Sequence, residues 1–327
     1  MPRTAFVTGG SGFVGHNLIR RLVAEDWRVT ALHRPSSDLT YLQRLPVERV
    51  SGDLTDSASL LAAMPERVDA VFHVASDLNF WAQNNAQQTA NNVDGTRHLV
   101  EAALQRGAKR LVYTSTLGTY GDRPGLITER SAQLGAQSRI NYSRTKWAAE
   151  EVVREGVQRG LPAVIMNPGG IFGPFDRTTW GAFFFLVRDG LLPYVPDTGL
   201  MTWCHVDDVV AAHITAAEKG QRGHNYILGG AEADLWEVLG VMAELLGMPL
   251  KAHRLPSELV LRYAQIESDI AIHTGQRPIY TPEVIEVFAA TYRCNDRRAT
   301  TELGYTSSPL RKMIGDSHAW LRAEGLL

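Results

Sequence analysis

The segment from Ala5 to Leu22, AFVTGGSGFVGHNLIRRL, places the strongest constraint on the fold. A short apolar run of β character is followed by glycines at positions 9, 12 and 15, and then by apolar residues at helical spacing. The glycines permit a tight turn, close approach of a phosphate, and close packing of the helix on the sheet. The helix directs free N–H groups and the positive end of its dipole toward an anion. The segment therefore predicts a binding site for the pyrophosphate of a dinucleotide.

The second predicted strand, Arg28 to His33, ends about 20 residues after this turn, where a dinucleotide fold meets the adenosine ribose. NAD-binding chains usually place Asp or Glu there, whereas this chain has HRPSS at 33–37. The Arg34 guanidinium suits a 2′-phosphate, so NADP is the expected cofactor and NAD is the second choice. A solvated loop arginine is the alternative interpretation. Asp53, after the third strand, is either an acceptor for the adenine amino group or a plain turn residue.

Strands and helices alternate as far as residue 168, which predicts an α/β fold with a Rossmann-type doubly wound parallel sheet. We predict a dinucleotide-binding domain at 1–168, to which segments around 201–230 return. Residues 169–200 and 231–327 are predicted to form a smaller, mostly helical C-terminal substrate-binding lid. The strand at 70–75 is apolar throughout, as in buried parallel strands, so His73 within it is expected to be a packed core residue.

Composition excludes several classes of protein. The net charge of −2 gives no basic field for nucleic acid. No apolar run approaches the ~20 residues that span a bilayer. Cys204 and Cys294 are far apart and outside metal-type spacing, so no metal site is predicted, and a reducing compartment fits. The N-terminus leads directly into a strand without a signal peptide. We therefore expect a cytoplasmic protein with a small-molecule partner, no nucleic acid and no membrane insertion.

A possible catalytic pair lies in YSRTK, where Tyr142 and Lys146 are four residues apart and share one helix face. A nearby ammonium favours phenolate and lowers the pKa of the tyrosine, which could then act as general acid or base on a carbonyl oxygen. The preceding strand ends in the hydroxyls of Thr114, Ser115 and Thr116, at the sheet edge where open α/β folds bind ligands. One of these hydroxyls would polarise the same carbonyl. Taken alone, the Tyr–Lys pair also fits a solvated helix face.

Eight motifs occur in a characteristic order: TGGSGFVG (8–15), GDL (52–54), FHVAS (72–76), NVDGT (92–96), VYTSTLGTYG (112–121), YSRTK (142–146), NPGGIFGP (167–174) and HVDDV (205–209). In this the chain resembles the extended short-chain dehydrogenases/reductases, also called the NAD-dependent epimerase/dehydratase family. The resemblance implies that Tyr142 is the acid/base, Lys146 its partner, and Thr116 or the adjacent Ser115 the third catalytic group. It also implies a homodimer through two helices flanking the sheet. The cofactor-binding residues it implies are Gly9, Ser11, Gly12, Phe13, Val14, Gly15, Arg34, Asp53, Leu54, Val74, Ala75, Ser76, Asn92, Thr114, Lys146, Asn167, Pro168 and Gly170.

The HRPSS segment is similar to the dihydroflavonol-reductase-like branch of that family. Sugar-nucleotide epimerases usually carry an Arg shortly before HVDDV, where this chain has TGLMTWC at 198–204. Aromatic side chains suggest a less polar ligand, although each could instead belong to the lid core. The expected substrate-binding residues are Asp77, Phe80, Trp81, Trp180, Phe183, Phe184, Met201 and Trp203.

These features predict an NADPH-dependent reductase of small to medium apolar or aromatic aldehydes or ketones, working reversibly as an alcohol dehydrogenase. The alternative is a nucleotide-sugar epimerase or dehydratase with tightly bound NAD. A third hypothesis is a cofactor-binding redox regulator without chemistry. Such relatives typically lose the Tyr–Lys pair, which this chain keeps.

Overall fold

The computed structural model describes residues 2–327. Its strands are β1 (Thr4–Thr8), β2 (Arg28–His33), β3 (Glu48–Ser51), β4 (Ala70–His73), β5 (Leu111–Thr114), β6 (Ala163–Pro168), β7 (Gly170–Phe172), β8 (Tyr194–Pro196), β9 (Met201–His205), β10 (Asn225–Leu228), β11 (Ala231–Ala233) and β12 (His253–Leu255). Its α-helices are α1 (Phe13–Ala24), α2 (Ser57–Ala63), α3 (Asn85–Thr89), α4 (Gly95–Gln105), α5 (Asn141–Gln158), α6 (Phe183–Arg188), α7 (Val206–Lys219), α8 (Leu235–Leu245), α9 (Ser257–Thr274), α10 (Pro282–Ala289), α11 (Arg297–Leu303) and α12 (Leu310–Ala323).

Seven parallel strands form the central sheet in the order β10-β6-β5-β4-β1-β2-β3. The order reverses between β1 and β4, so the chain leaves the sheet in opposite directions there and opens a crevice at the carboxyl ends of the strands. This arrangement confirms the predicted doubly wound fold. The candidate residues at the ends of β1, β2, β4 and β5 consequently lie along one edge of the sheet.

Helices cover both faces of the sheet, which explains why its inner strands β4, β5 and β6 are buried along their whole length. On one face α1 and α7 pack against it, with Leu18 and Val209 completely buried. On the other face α2, α4 and α5 do so, with Leu60, Leu99 and Val153 in the core. Helix α5 thus lies directly beneath β5 and β6, and the packing of Val153 fixes the helix that carries Tyr142 and Lys146.

The lid has a separate core beyond β6, built from α6, α8, α9, α10 and α12 around small β-sheets. One of these sheets has the order β11-β9-β7 and is anchored by Trp203, which is completely buried. Strand β10 leaves this region and joins the central sheet beside β6. Helix α11 lies within the predicted lid range, and its Ala299 and Leu303 pack into the sheet-side core with α7. The predicted division into two domains stays a prediction.

Candidate active site

The turn between β1 and α1 is packed as tightly as its glycines allow. Gly9 has a φ of +75°, and a Cβ there would lie 2.6 Å from the backbone nitrogen of Ala75. A Cβ on Gly15 would lie 2.1 Å from the carbonyl oxygen of Gly9. Only glycine satisfies the backbone conformation at the first position and the close approach at both. The turn is therefore pressed against the end of β4, where Val74, Ala75 and Ser76 are half-buried.

Gly12 is glycine for a different reason. It precedes α1 in an extended conformation, no side chain caps the helix, and the first turn holds no acidic residue. A Cβ on Gly12 would meet only the Gly9 carbonyl, at an ordinary 3.4 Å, so packing within the protein does not require glycine there. Ser11 and Gly12 are exposed, and Phe13 and Val14 are half-buried beside them. An uncapped helix N-terminus with an open surface above it fits a phosphate group of a dinucleotide.

Arg34 and Asp53 lie together at the carboxyl ends of β2 and β3. Hydrogen bonds from Thr55 hold the pKa of the Asp53 carboxyl below its usual value, and the Arg34 guanidinium contributes to that lowering. Arg34 is exposed, and within residues 2–327 its guanidinium makes no hydrogen bond or ion pair. Leu54, half-buried, completes this end of the crevice. The guanidinium is thus available to an anionic ligand at the place expected for the adenosine ribose.

His73 connects β1, β4 and α4 through two hydrogen bonds. Its Nδ1 lies 2.8 Å from the Thr8 hydroxyl, and its Nε2 lies 3.0 Å from the Thr96 hydroxyl, which itself donates to the Asn92 carbonyl. Thr96 therefore accepts from Nε2–H, and Nδ1 accepts from Thr8. Burial and, to a smaller extent, Lys146 lower the pKa of His73 to about 3, so the ring is neutral. The prediction of a packed core histidine is confirmed.

Lys146 is almost completely buried beneath the sheet edge, with 1% of its surface exposed. Its ammonium donates a hydrogen bond to the Thr114 carbonyl at 2.6 Å and lies 4.4 Å from the centre of the Tyr113 ring. Burial lowers the pKa of Lys146 to about 7, and the Glu150 carboxylate opposes that effect. The pKa of this lysine therefore lies well below that of an exposed lysine.

Tyr142 lies one turn before Lys146 on α5, and its ring contacts Phe80 edge-to-face with centroids 5.6 Å apart. Burial raises the pKa of Tyr142 to about 12, and a contact with the Ser76 hydroxyl works in the opposite direction. The expectation that Lys146 lowers the pKa of Tyr142 is therefore wrong for this structure. The physical reason is that the ammonium turns to the Thr114 carbonyl while desolvation dominates at the phenol.

The three hydroxyls after β5 have different surroundings. Thr114 Oγ1 bonds to His213 Nε2 at 2.9 Å, on the α7 side of the sheet. Ser115 Oγ donates to the buried Glu150 carboxylate at 2.5 Å, so it is not free for a ligand. Thr116 Oγ1 accepts from the Gly118 amide at 3.2 Å, and its own hydrogen has no acceptor within residues 2–327. The geometry favours Thr116 over Ser115 as the group that contacts a substrate.

Two expected cofactor ligands instead connect parts of the fold. Asn92 lies in a π-helical turn, Ala90–Asp94, and its Nδ2 donates to the Asp77 carbonyl and to Thr145 Oγ1, both at 3.0 Å. Asn167 is completely buried, with Nδ2 on Glu150 at 2.7 Å and Oδ1 accepting from Asn225. Both amides are occupied by partners within the protein, and their predicted contact with a cofactor stays a prediction. Pro168 is likewise buried.

Gly170 is also predicted to contact the cofactor, and in this structure packing alone requires glycine at this position. A Cβ on Gly170 would lie 2.5 Å from the Trp203 ring, so any larger residue would displace the indole. This contact belongs to the small sheet β11-β9-β7. The position is therefore explained by the lid core without any ligand.

The predicted substrate wall divides into two groups. Phe184 and Trp203 are completely buried, and Trp203 Nε1 donates to the Ala233 carbonyl at 3.0 Å. Both side chains pack in the core beyond β6 and present no surface to a ligand in this structure, and their predicted role in substrate binding stays a prediction. Met201 is also buried, and Trp180 and Phe183 are half-buried against that core.

The other group lies near Tyr142. Phe80 and Trp81 are half-buried, and Phe80 contacts the Tyr142 ring. The Asp77 carboxylate accepts from Asn91 Nδ2 at 2.8 Å and from the Asn79 amide at 3.1 Å, so it shapes the loop before Phe80. Phe80 is thus the predicted wall residue placed directly at the candidate acid/base.

Glu150 and Glu283 were not among the predicted site residues. Glu150 follows Tyr142 and Lys146 at the same four-residue interval, so the helical spacing could have indicated it. Glu283 contacts the first residue of α5 from the lid, and no sequence pattern links the two segments.

Within residues 2–327 no helix is both long and apolar enough to cross a membrane. The same residues hold no group of three or more His, Cys, Asp or Glu side chains that could bind a metal ion.

Comparison with known proteins assigns the chain to a family. The NAD dependent epimerase/dehydratase family matches residues 5–229. A Synechocystis sp. protein provisionally named dihydroflavonol 4-reductase is 31% identical, covering 98% of this chain and 95% of its own length. Sterol demethylase protein B of Methylococcus capsulatus is 31% identical, covering 99% of this chain and 100% of its own. The crystal structure of gox2253 has a TM-score of 0.85 at 31% identity, covering 99% of each chain. The chain belongs to the NAD-dependent epimerase/dehydratase family, the extended short-chain dehydrogenases/reductases, and is an NAD(P)-dependent oxidoreductase acting on CH–OH or C=O groups.

Proposed function

We propose that this protein is an NADPH-dependent reductase of small to medium apolar or aromatic aldehydes and ketones. The observation that carries the proposal is the placement of Tyr142 against Phe80, with the buried Lys146 one helical turn away. This arrangement puts a proton donor and an apolar surface side by side at the sheet edge. This arrangement supports a substrate that has a carbonyl group attached to an apolar or aromatic group.

The proposed roles follow from the protonation states of the side chains. A bound nicotinamide supplies the hydride for the carbonyl carbon. With a pKa near 12, Tyr142 holds its proton at neutral pH, which supports proton donation to the carbonyl oxygen and hence reduction. The free hydroxyl hydrogen of Thr116 is suited to donate to the same oxygen. Lys146, whose ammonium is held at the Thr114 carbonyl at the same sheet edge, can bond the nicotinamide ribose.

The preference for NADPH rests on Arg34. Its exposed guanidinium has no partner within residues 2–327, and the Asp53 carboxylate near it is bonded to Thr55 at 2.8 Å. A 2′-phosphate would provide a charge-assisted, bidentate acceptor. The sterol in the name of the Methylococcus relative supports an apolar substrate for this chain as well.

The test is a cofactor titration combined with a substrate panel on the purified full chain. NADPH and NADH binding are measured by nicotinamide fluorescence, and turnover is measured on aliphatic, aromatic and cyclic carbonyls and on nucleotide sugars. We expect NADPH to bind at least about tenfold more tightly, and Arg34→Ala to abolish that preference. Arg49→Ala is the matched control, because Arg49 is an exposed arginine on the neighbouring edge strand β3.

Tyr142→Phe tests the chemistry, with an expected loss of about 10²- to 10⁴-fold in kcat at unchanged NADPH affinity. Tyr263→Phe, which removes a phenolic hydroxyl on the lid helix α9, serves as its control. Near-normal turnover by Tyr142→Phe would disprove the proposed acid. Conversion of a nucleotide sugar by tightly bound NAD, without net oxidation of NADPH, would instead establish the epimerase or dehydratase alternative.

A further inference from the structure

Glu150 is a completely buried carboxylate on the helix that carries the candidate catalytic pair. It lies eight residues after Tyr142 and four after Lys146, so all three share one face of α5. An unpaired carboxylate at this depth would strongly destabilise the fold, so its presence requires compensating partners. The identity of those partners indicates what the residue does.

The Glu150 carboxylate has six hydrogen-bond donors. Oε1 accepts from Ser115 Oγ at 2.5 Å, Asn167 Nδ2 at 2.7 Å and Thr119 Oγ1 at 3.2 Å. Oε2 accepts from Arg154 Nη2 and Gln133 Nε2, both at 2.7 Å, and from Asn225 Nδ2 at 3.0 Å. Each oxygen thus has three donors, so the buried carboxylate is fully compensated by hydrogen bonds and by the Arg154 guanidinium.

These partners surround Thr116. Ser115 and Thr119 lie on either side of it in the chain, and Asn167, itself held by Glu150, donates to the Thr116 carbonyl at 3.1 Å. The loop after β5 is thereby tied to α5 through one carboxylate. This connection therefore contributes to the position of Thr116 relative to the helix that carries Tyr142.

The charge of Glu150 also acts on Lys146. Burial depresses the pKa of Lys146, and Glu150 is the one group that raises it. The other groups facing Lys146 are Tyr142 on α5, Tyr113 on β5 and His73 on β4, and His73 is neutral. Glu150 itself faces Arg154 on α5, Tyr113, and Tyr120 after β5. The phenols are neutral, so the local charges are Lys146, Glu150 and Arg154.

We propose that Glu150 is a positioning residue that fixes the Thr116 loop against α5 and favours the charged form of Lys146. The inference rests on the proposed reductase function for its kinetic consequence but not for its electrostatic one. It distinguishes two roles, because a merely structural carboxylate would not change the protonation of Lys146.

The first measurement needs no catalysis. The Nζ resonance of Lys146 in ¹⁵N-lysine-labelled protein, assigned with Lys146→Met, is titrated by NMR in the wild type and in Glu150→Gln. We expect the apparent pKa of Lys146 to fall by about one unit in Glu150→Gln. Glu155→Gln is the control, because Glu155 lies on the same helix but is exposed and pairs with Arg97. An unchanged titration in a folded Glu150→Gln protein would overturn the electrostatic part of the proposal.

The second measurement is the pH profile of carbonyl reduction. In Glu150→Gln the alkaline limb of kcat/KM should move to lower pH by about the same one unit, with activity recovering below the new limb. A uniform loss at every pH would show that Glu150 acts on structure alone. If the wild type reduces no carbonyl, the proposed function fails while the NMR titration still decides the role of Glu150.

Arg154→Gln keeps the test decisive if Glu150→Gln does not fold. Arg154 is partly exposed and is the cation paired with Glu150, so its removal leaves the negative charge less compensated. The pKa of Lys146 should then rise, opposite in sign to the effect of Glu150→Gln. A fall in the pKa of Lys146 in Arg154→Gln would contradict the proposal.

Discussion

Glu283 on the lid helix α10 accepts a hydrogen bond from the backbone amide of Asn141, with an Oε2–N distance of 3.0 Å. Asn141 is the first residue of α5, so a carboxylate from the lid satisfies an N-terminal amide of the helix that carries Tyr142 and Lys146. Two residues earlier, Thr281 donates to the Phe80 carbonyl at 2.6 Å. One end of α10 therefore holds both the acid/base helix and the apolar residue beside it.

We expect Glu283→Ala to lower the free energy of unfolding by about 1 kcal/mol and to raise KM for the carbonyl substrate, because α5 loses a cap and the lid loses a contact. Urea unfolding and steady-state kinetics measure the two effects. Glu286→Ala is the control, since Glu286 lies on the same helix and its contact with the exposed Arg139 is 3.7 Å long. Equal effects of both substitutions would rule out a specific role for the Glu283–Asn141 bond.

The glycines should separate cofactor binding from stability. Gly12→Ala should leave the protein folded, because a Cβ there has room, but should weaken NADPH binding by at least about tenfold through contact with the phosphate. Gly15→Ala should destabilise the fold, since its Cβ would overlap the Gly9 carbonyl. Gly315→Ala, in open space on α12, should stabilise by about 0.5–1 kcal/mol. Fluorescence titration and thermal melts report the three outcomes, and normal NADPH binding by Gly12→Ala would refute the phosphate assignment.

Lys146 should make stability depend on pH. Its pKa falls from 10.5 to about 7 on folding, so between these values the unfolded chain binds more protons than the native protein. Stability contributed by this site is therefore lowest below pH 7 and rises toward pH 10.5, by at most about 1.4 kcal/mol per pH unit. Lys146→Met removes that rise. Urea unfolding of both proteins from pH 6 to 10 gives the difference curve, and parallel curves would contradict the lowered pKa.

The two groups of aromatic residues should respond differently to mutation. Trp203→Phe removes a buried indole and its bond to Ala233, so we expect a loss of about 2 kcal/mol in stability with little change in KM. Phe80→Leu should leave stability nearly unchanged and raise KM several-fold, because Phe80 contacts Tyr142. Chemical denaturation and substrate kinetics on both variants provide the comparison. If Trp203→Phe instead raised KM without a loss of stability, Trp203 would be part of the substrate site.

Local patterns were sufficient for the scaffold. Three features are properties of short segments and do not depend on the rest of the fold. They are the glycine turn, the alternation of strands and helices, and the spacing of Tyr142 and Lys146. The doubly wound sheet and the face shared by the two side chains followed from these patterns. His73 could likewise be assigned to the core, because an apolar strand on both sides leaves a polar residue little alternative.

Local patterns could not show which polar side chains would form hydrogen bonds with partners distant in sequence. Asn92 and Asn167 resemble ligands in the chain, yet their amides are occupied by Thr145 and Asn225. Ser115 and Thr116 are neighbours with similar hydroxyls, and only the location of Glu150 distinguishes them. Buried polar groups must find partners, and which partners are in reach depends on packing between separate elements.

The sequence by itself determined the glycine turn, the parallel sheet and the helical face that pairs Tyr142 with Lys146. The tertiary structure decided that the glycine turn presses against β4, that Lys146 turns to the Thr114 carbonyl, and that α10 caps α5. The physical reason is range: backbone propensity and side-chain periodicity act over a few residues, whereas desolvation and hydrogen-bond satisfaction depend on every element that closes around a group.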